Sequence, residues 1–129
     1  MIVVDTSALI AILAGESEQV SFNEKIAAAD RCSLSIGTYL ETHIVIGARY
    51  GEAGTRELTL FLHEAEIDLV PVDRDQADLA RLAYMKYGRG RHPASLNYGD
   101  CFAYALAKVL NAPLLYTGDD FDKTDLLTA

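Results

Sequence analysis

The sequence predicts an α/β fold in which helices cover both faces of a parallel sheet. Short apolar, β-branched segments alternate along the chain with longer segments of helical periodicity. The chain has 129 residues, of which 50% are hydrophobic, so we expect residues 1–129 to form a single domain with a buried core. Strands that alternate with helices in one domain pair in parallel through right-handed crossovers. The expected fold class is therefore α/β.

The first half of the chain is predicted to contain two strands and four helices. Residues 1–4 are apolar and β-branched, and the polar run Asp5-Thr6-Ser7 then begins an alanine- and leucine-rich helix. Gly51 and Gly54 interrupt a later helical pattern and are expected to end that helix. We expect strands at residues 1–4 and 32–36, and helices at 8–13, 18–29, 38–50 and 56–66.

The second half is predicted to add two helices and the remaining strands. Asp73 and Gln76 have the spacing of a capping box, which begins a helix with clear periodicity. Residues 88–99 contain three glycines, one proline and two arginines and are typical of a long exposed loop. We expect strands at residues 67–72 and 113–116, helices at 74–87 and 100–110, and a fifth strand near Leu126.

The overall charge opposes binding to nucleic acid unless local cations compensate. Lys and Arg number 11 against 19 Asp and Glu, which gives a net charge of −8 with the histidines neutral. Cys32 and Cys101 have no partner at metal-ligand or CxxC spacing, which is typical of a reducing compartment. The longest uncharged run, residues 6–15, is too short to span a bilayer. We therefore expect a soluble cytoplasmic protein without membrane association.

Acidic residues follow the predicted strands at the edge where open parallel sheets bind ligands. Asp5 directly follows the first strand, and Asp119 and Asp120 directly follow the fourth. Glu41 lies in the first turn of the helix after the second strand, and Asp100 begins the helix before the fourth. The carboxyl ends of parallel strands share one edge, so we expect all five carboxylates at one rim of the sheet.

Each of these acids also has an ordinary structural explanation, because acids at helix starts are favoured by capping and by the helix dipole. Capping does not explain why several separate elements carry an acid at the same edge of the sheet, with no cation nearby in the sequence. The structural alternatives are a cap at Asp5, capping boxes at Thr38 with Glu41 and at Asn97 with Asp100, and a turn at Gly118-Asp119-Asp120.

The mutual repulsion of the carboxylates favours a metal site. Two carboxylates about 5 Å apart repel by roughly 3 kcal/mol at an effective dielectric near 20, and four of them form six such pairs. A cluster of this kind persists only when protons or cations neutralise it, and an all-oxygen set of ligands selects Mg²⁺ or Mn²⁺ over Zn²⁺. We therefore predict a magnesium site, with phosphodiester hydrolysis as the natural reaction.

The glycine-rich loop is the one local concentration of positive charge. Its basic side chains are candidate contacts for substrate phosphates, or they simply balance an acidic surface in solvent. The flanking tyrosines are candidates for base stacking or for ordinary packing. The residues concerned are Lys86, Arg89, Arg91 and His92 in the loop and Tyr87 and Tyr98 beside it, while Ser7 and Asn97 are candidate hydrogen-bond donors that orient the metal ligands.

The ordered acidic motifs resemble those of the PIN domain, and the resemblance is closest to the VapC ribonuclease toxins of bacterial type II toxin–antitoxin pairs. It rests on residues 3–8 (VVDTSA), 39–41 (YLE), 96–100 (LNYGD) and 115–121 (LYTGDDF), which span nearly the full chain. The resemblance implies a three-layer α/β/α sandwich and an endoribonuclease that depends on Mg²⁺, with Mn²⁺ as a substitute. It also implies homodimerisation, and hetero-oligomers in which a small VapB-type antitoxin inhibits the toxin.

Position by position, the resemblance assigns Asp5, Glu41 and Asp100 to the three central acids of the family. Members of the family often carry two acids separated by one residue ahead of a phenylalanine, whereas the two acids here are adjacent. Alignment from the threonine selects Asp119 as the fourth catalytic acid, and alignment from the phenylalanine selects Asp120; both are expected near the metal. Residues 38–66 are expected to supply much of the dimer and antitoxin surface, with Tyr39, Ile44, Ile46 and Tyr50 as candidates.

Other functions fit the sequence less well. A phosphoacceptor receiver domain would need paired acids after the first strand and a lysine where Thr117-Gly118 stands, and an aspartate-nucleophile phosphatase would need an acid in place of Ser7. A cysteine hydrolase would need Cys101 paired with a histidine, although a lone cysteine on an apolar helix face usually packs. A non-catalytic interaction module remains if the acids serve folding only. The identity of the RNA stays open.

Overall fold

The computed structural model describes residues 1–129 and contains nine helices and strands. In chain order they are β1 (Ile2–Val4), α1 (Thr6–Leu13), α2 (Gln19–Ala28), β2 (Cys32–Ser35), α3 (Ile36–Glu64), β3 (Asp68–Val70), α4 (Arg74–Tyr87), α5 (Tyr98–Leu110) and β4 (Leu114–Leu115), followed by a short 3-10 turn at Phe121–Lys123.

The four strands form one sheet in the order β3-β2-β1-β4, and every pair is parallel. Val3 of β1 is in register with Ser33 on one side and Leu114 on the other. The chain moves outward from β1 to β3 and then returns to place β4 on the free side of β1. The connections therefore diverge between β1 and β4, which is where open α/β sheets bind ligands.

Helices cover both faces of the sheet, which confirms the predicted α/β/α layering. Side chains alternate along β1: Ile2 and Val4 pack with α1, α2 and α3, whereas Val3 packs with Leu106 and Leu114 on the side of α4 and α5. A strand that is buried on both faces has to be apolar at every position, and β1 is.

The predicted break in the third helix is a kink at a single residue. Helix α3 extends over Ile36–Glu64, but Gly51 has φ 65° and ψ −157°, a conformation that is essentially restricted to glycine. The expectation that Gly54 helps to end the helix is wrong, because Gly54 is helical and buried against Ile46. No helix in the structure is both long enough and apolar enough to cross a membrane.

The predicted fifth strand is absent. Thr128 forms only an isolated parallel bridge with Leu114. The Leu114 N–H donates to the Leu127 carbonyl at 2.8 Å, and the Leu114 carbonyl accepts from the Ala129 N–H at 2.9 Å. Side chains hold the rest of the tail: the Tyr104 hydroxyl donates to Asp125 at 2.6 Å. The tail is therefore attached to the edge of β4 by a few bonds and does not extend the sheet as a regular ladder.

Candidate active site

Asp5 is the most deeply buried of the five acids. It follows β1 directly and is only 4% exposed, and its backbone N–H donates to the Leu115 carbonyl of β4 at 3.0 Å. Its Oδ2 caps α1 by accepting from the N–H of Ser7 at 3.0 Å and from the Ser7 hydroxyl at 2.7 Å. Its Oδ1 is buried and has no hydrogen-bond partner. Capping thus explains one oxygen of Asp5 and leaves the other for a different role.

Ser7 joins the ends of β1 and β4. Its hydroxyl donates to Asp5 and accepts from the N–H of Thr117 at 3.0 Å. Gly118, which follows, has φ +86° and turns the chain toward Asp119 and Asp120. Ser7 therefore orients Asp5, as expected, and also fixes the loop that carries the last two acids.

The predicted capping box at Thr38 and Glu41 is wrong. The helix begins earlier, because Ser35 is the cap and accepts from the N–H of Gly37 at 3.2 Å. Thr38 is fully buried, and its hydroxyl has no partner. The Glu41 carboxylate instead accepts from the Thr6 hydroxyl at 2.6 Å. Glu41 is therefore directed to the start of α1 rather than to its own helix terminus.

Two residues that hold Glu41 were not identified from the sequence. Thr6 donates to Glu41, and its hydroxyl lies 2.9 Å from that of Thr42. Gly99 provides the space, since a Cβ at this position would lie 1.9 Å from Glu41 Oε2. A glycine in the first turn of a helix, directly before a candidate ligand, was the signal for such a close approach.

Asp100 forms the predicted capping box with Asn97. The Asp100 N–H donates to Asn97 Oδ1 at 2.8 Å, and the Asn97 N–H donates to Asp100 Oδ2 at 3.0 Å. Asn97 thus orients the carboxylate through its backbone, while its side chain is an acceptor rather than the expected donor. The box fixes Asp100 at the first turn of α5, where the helix dipole favours a negative charge.

The carboxylates share one electrostatic environment. The pKa of Asp100 is raised to about 7, mainly by burial and also by the charges of Asp5, Asp120 and Glu41, against the opposing hydrogen bond from Asn97. Burial also raises the pKa of Asp5 to about 6, with Glu41 adding to the effect and the bonds from Ser7 opposing it. Four acids from separate elements are therefore close enough to repel one another.

The charges of Asp119 and Asp120 affect the pKa values of different residues. The charge of Asp120 raises the pKa of Asp100, whereas the charge of Asp119 acts on Tyr116, whose pKa is raised mainly by burial and by its hydrogen bond to Asp122. Both acids are exposed. Of the two adjacent acids, Asp120 is the one whose charge acts on Asp100.

The chemistry of the carboxylates, although not a tight grouping of them, fits a hard divalent cation. None of the five ion pairs in the structure includes Asp5, Glu41, Asp100, Asp119 or Asp120, so no protein cation neutralises them. The unpaired Oδ1 of Asp5 supplies a buried oxygen ligand without a competing donor. No three acidic, histidine or cysteine side chains converge on a single point. The site is therefore a loose, carboxylate-only set rather than a closed structural cage.

The loop residues divide into exposed and packed groups. The cations Lys86, Arg89 and Arg91 are exposed and form no ion pair. Lys86 is not on the loop as expected but in the last turn of α4, where its ammonium lies 5.0 Å from the centre of the Tyr87 ring. Tyr87 is 5% exposed, and its ring packs against His92 and Tyr104, so it does not stack on a base. Tyr98, in contrast, is 78% exposed.

Cys101 has no features of a nucleophile. Burial raises its pKa to about 11, and its thiol lies 3.3 Å from the Asn97 carbonyl, with no histidine as hydrogen-bond partner. A protonated, buried thiol is unreactive. The structure thus argues against the cysteine-hydrolase alternative.

Comparison with known proteins identifies the family. The PIN domain model matches residues 2–127. The chain is 56% identical to the ribonuclease VapC of Mycolicibacterium smegmatis over 124 residues, covering 96% of each chain. It is 54% identical to the ribonuclease VapC30 of Mycobacterium tuberculosis over 126 residues, covering 98% of this chain and 96% of the relative.

Solved structures share the fold at low sequence identity. The crystal structure of Mycobacterium tuberculosis VapC20, a sarcin–ricin loop cleaving toxin, matches with a TM-score of 0.81 at 16% identity and covers 100% of this chain and 98% of that one. A toxin–antitoxin complex from Klebsiella pneumoniae matches with a TM-score of 0.74 at 18% identity, covering 100% and 97%. On the family match and the two close relatives, the chain belongs to the PIN-domain family, among the VapC ribonucleases.

Proposed function

We propose that this protein is a metal-dependent endoribonuclease, the toxin of a VapBC-type toxin–antitoxin pair. The observation that carries the proposal is the buried, unpaired Oδ1 of Asp5 in a cluster of carboxylates that no protein cation neutralises. The close relatives at 54% and 56% identity carry the name ribonuclease, which supports RNA as the substrate. A receiver-like signalling domain is not favoured, because Thr117 and Gly118 follow β4 where its lysine would stand.

We propose Mg²⁺ as the ion, with Mn²⁺ as a substitute, because carboxylate oxygens are the ligands that both ions prefer. Asp5, Glu41 and Asp100 would hold it. Asp119 and Asp120 are both candidates for the fourth acid, and the coupling to Asp100 favours Asp120. A bound ion of this kind polarises a phosphodiester and lowers the pKa of a water molecule for in-line attack.

The protein's own residues set the geometry of the acids. Ser7 fixes one oxygen of Asp5 and thereby aims the other into the site. Thr6 fixes Oε1 of Glu41, and the backbone of Asn97 fixes Asp100. Each carboxylate is thus held by a donor at the end of a strand or the start of a helix, which reduces the reorganisation needed when a cation and a substrate bind.

We propose that an exposed apolar face forms a homodimer interface. Leu40 and Ile44 of α3 and Tyr98 of α5 are each at least 60% exposed, and two cavities of about 270 and 260 Å³ share Tyr98 and Phe102. Contiguous exposed apolar surface of this kind marks interaction sites. Of the interface candidates, Tyr50 is also exposed and Tyr39 is half-buried, but the prediction for Ile46 is wrong because it is fully buried in the core.

We propose a VapB-type antitoxin as the second partner, in hetero-oligomers with the toxin dimer. A groove of about 800 Å³ between the two halves of α3 is the candidate antitoxin surface; Ile44 and Leu60 line it, with His43, Arg56 and His63. The fold match to a toxin–antitoxin complex supports such a partner. We place the protein in the cytoplasm, where its two unbridged cysteines remain reduced.

Cleavage of a mixed RNA pool tests the proposed activity. We expect cutting with Mg²⁺, none with EDTA, and a fall of about a hundredfold or more for Asp5→Asn and Asp100→Asn, because each change removes a charged oxygen ligand. The adjacent pair Asp119→Asn and Asp120→Asn is a matched comparison, with the larger loss expected for Asp120→Asn. Undiminished cutting by Asp5→Asn and Asp100→Asn would contradict the mechanism.

The raised pKa values predict how pH affects the metal-free protein. Asp5 and Asp100 bind protons more tightly when folded, so the free energy of unfolding should fall as pH rises from about 4 to 7. A rise from 3.8 to about 6 for Asp5 corresponds to about 3 kcal/mol. In EDTA, Asp100→Asn should gain stability over the native chain between pH 5 and pH 8, measured by urea unfolding.

Mg²⁺ supplies the control for this stability measurement. It should stabilise the native chain at pH 8 and leave Asp100→Asn nearly unchanged, because only the charged cluster binds the ion. Parallel pH profiles for the two proteins, or equal stabilisation by Mg²⁺, would argue that Asp100 only caps its helix.

Gly99→Ala separates the position of Glu41 from overall stability. The new Cβ would collide with the Glu41 carboxylate, which can move away because it ends a flexible side chain. We expect activity to fall by about tenfold or more while the melting temperature changes little, since alanine favours the helix. Gly47→Ala, whose Cβ would meet only Thr55 at 3.5 Å, is the control and should keep full activity.

Light scattering and titration test the two proposed partners. Tyr98→Glu should shift the protein from dimer to monomer, and Leu60→Glu should weaken binding of the VapB-type protein encoded beside it by about tenfold or more. Val20→Glu is the control and should do neither, because Val20 lies on α2, outside both surfaces, and is 67% exposed. A monomeric native chain at micromolar concentration would contradict the dimer.

A further inference from the structure

Most cations of this acidic protein that form no ion pair lie on the chain segments next to Asp100 and Asp120. Four of its 11 Lys and Arg form ion pairs with carboxylates, which leaves seven. Four of those seven lie in the last turn of α4, on the loop that follows it, or on the turn after Asp120, and all four are exposed. We call these four, Lys86, Arg89, Arg91 and Lys123, the cationic surface.

The loop that carries Arg89 and Arg91 is folded. The Arg89 N–H donates to the Leu96 carbonyl, and the Leu96 N–H donates to the Tyr87 carbonyl, both at 2.9 Å. Gly90 has φ +81°, which permits the tight reversal between the two arginines. His92 supports the loop internally, because its Nδ1 accepts from the N–H of Ala94 at 3.0 Å. The arginine side chains therefore project from an ordered backbone rather than from a flexible strand.

The same contacts fix the cationic surface relative to the acids. The loop leads directly into Asn97, which caps α5 and holds Asp100. Its buried Ala94 and Leu96 belong to the same apolar cluster as Phe121, the residue after Asp120. The Lys123 ammonium also donates to the Pro93 carbonyl at 3.5 Å. The loop and Lys123 are thus attached to each other and to the two chain segments that carry Asp100 and Asp120.

The positive charge of the cationic surface matters because the protein as a whole is negatively charged and repels RNA. A chain of net charge −8 attracts a polyanion only through local positive groups. Unpaired, exposed cations can contact phosphates without first breaking an ion pair, and phosphate contacts orient a strand without reading its sequence.

We propose that the cationic surface binds the backbone phosphates of single-stranded RNA and positions the strand beside the carboxylates. This inference rests on the proposed ribonuclease function. The four residues are positioning residues: they hold phosphates that flank the scissile bond and do not touch the reacting atoms. Their contribution is independent of base sequence.

The test compares two triple variants of equal charge. The loop variant, Lys86→Ala/Arg89→Ala/Arg91→Ala, removes the two loop arginines and the lysine in the last turn of α4. The control variant, Lys25→Ala/Arg49→Ala/Arg74→Ala, removes three exposed cations from α2, α3 and α4, so both variants have the same net charge. Binding of a fluorescent single-stranded RNA pool is measured in EDTA across a series of salt concentrations. Cleavage in Mg²⁺ gives kcat and KM.

We expect only the loop variant to change. Its affinity for RNA should fall by about tenfold, its slope of log K against log salt should become shallower by about 2, and its KM should rise with kcat nearly unchanged. Arg89→Lys/Arg91→Lys keeps the charge and should retain most of the native salt slope. Near-ultraviolet and far-ultraviolet circular dichroism confirm that each variant is folded.

The outcomes separate this inference from the proposed function. An equal loss of RNA affinity in both triple variants would contradict the role of the cationic surface but not the ribonuclease proposal. A native KM and a native salt slope in the loop variant would do the same. If the native chain binds RNA through the loop but does not cut it with any divalent ion, the ribonuclease proposal fails and the surface stands. A native chain that neither binds nor cuts RNA overturns both.

Discussion

The repulsion between carboxylates at the carboxyl edge of the sheet is the constraint on which the candidate site depends. Asp5 is buried between β1 and β4 with one oxygen unpaired, and Asp100 lies within range of its charge. Burial and proximity both favour the protonated forms, so the metal-free arrangement is held at the expense of stability. Packing of the surrounding apolar clusters keeps the acids together, and a bound cation would remove the penalty.

Helix capping and ligand orientation are not alternatives in this protein. Asp5 caps α1 and Asp100 completes the capping box of α5, and in each case one carboxylate oxygen accepts the backbone N–H at the helix start. The cap fixes one oxygen in a defined direction, and the second oxygen is thereby aimed as well. The same backbone N–H groups that satisfy a helix start thus serve as the support of the site.

The sequence predicted the elements that local pattern controls. The bounds of α4 agree with its capping residue and periodicity, and the acids after β1 and β4 lie where parallel strands must end. It did not predict the long-range bond from Thr6 to Glu41 or the clearance at Gly99, because both depend on how α1, α3 and α5 approach one another. The capping box expected at Thr38 and Glu41 failed for the same reason. The local spacing fits a cap, but tertiary packing buries Thr38.

The identity of the fourth acid also could not be predicted from the sequence. Spacing along the chain permits either Asp119 or Asp120, since adjacent residues after a strand differ mainly in direction. Their directions depend on the turn at Gly118 and on the burial of Phe121, which the spacing does not reveal.

The C-terminal tail has a consequence for how the molecule avoids self-association. Its bonds to Leu114 occupy the backbone groups that β4 would otherwise offer to a strand of another chain. At the opposite border β3 has only three residues, is followed by Pro71, and carries an ion pair between Asp68 and Arg31. With neither border open to strand addition, amyloid-like stacking is discouraged, and contacts between copies are directed to helical surfaces.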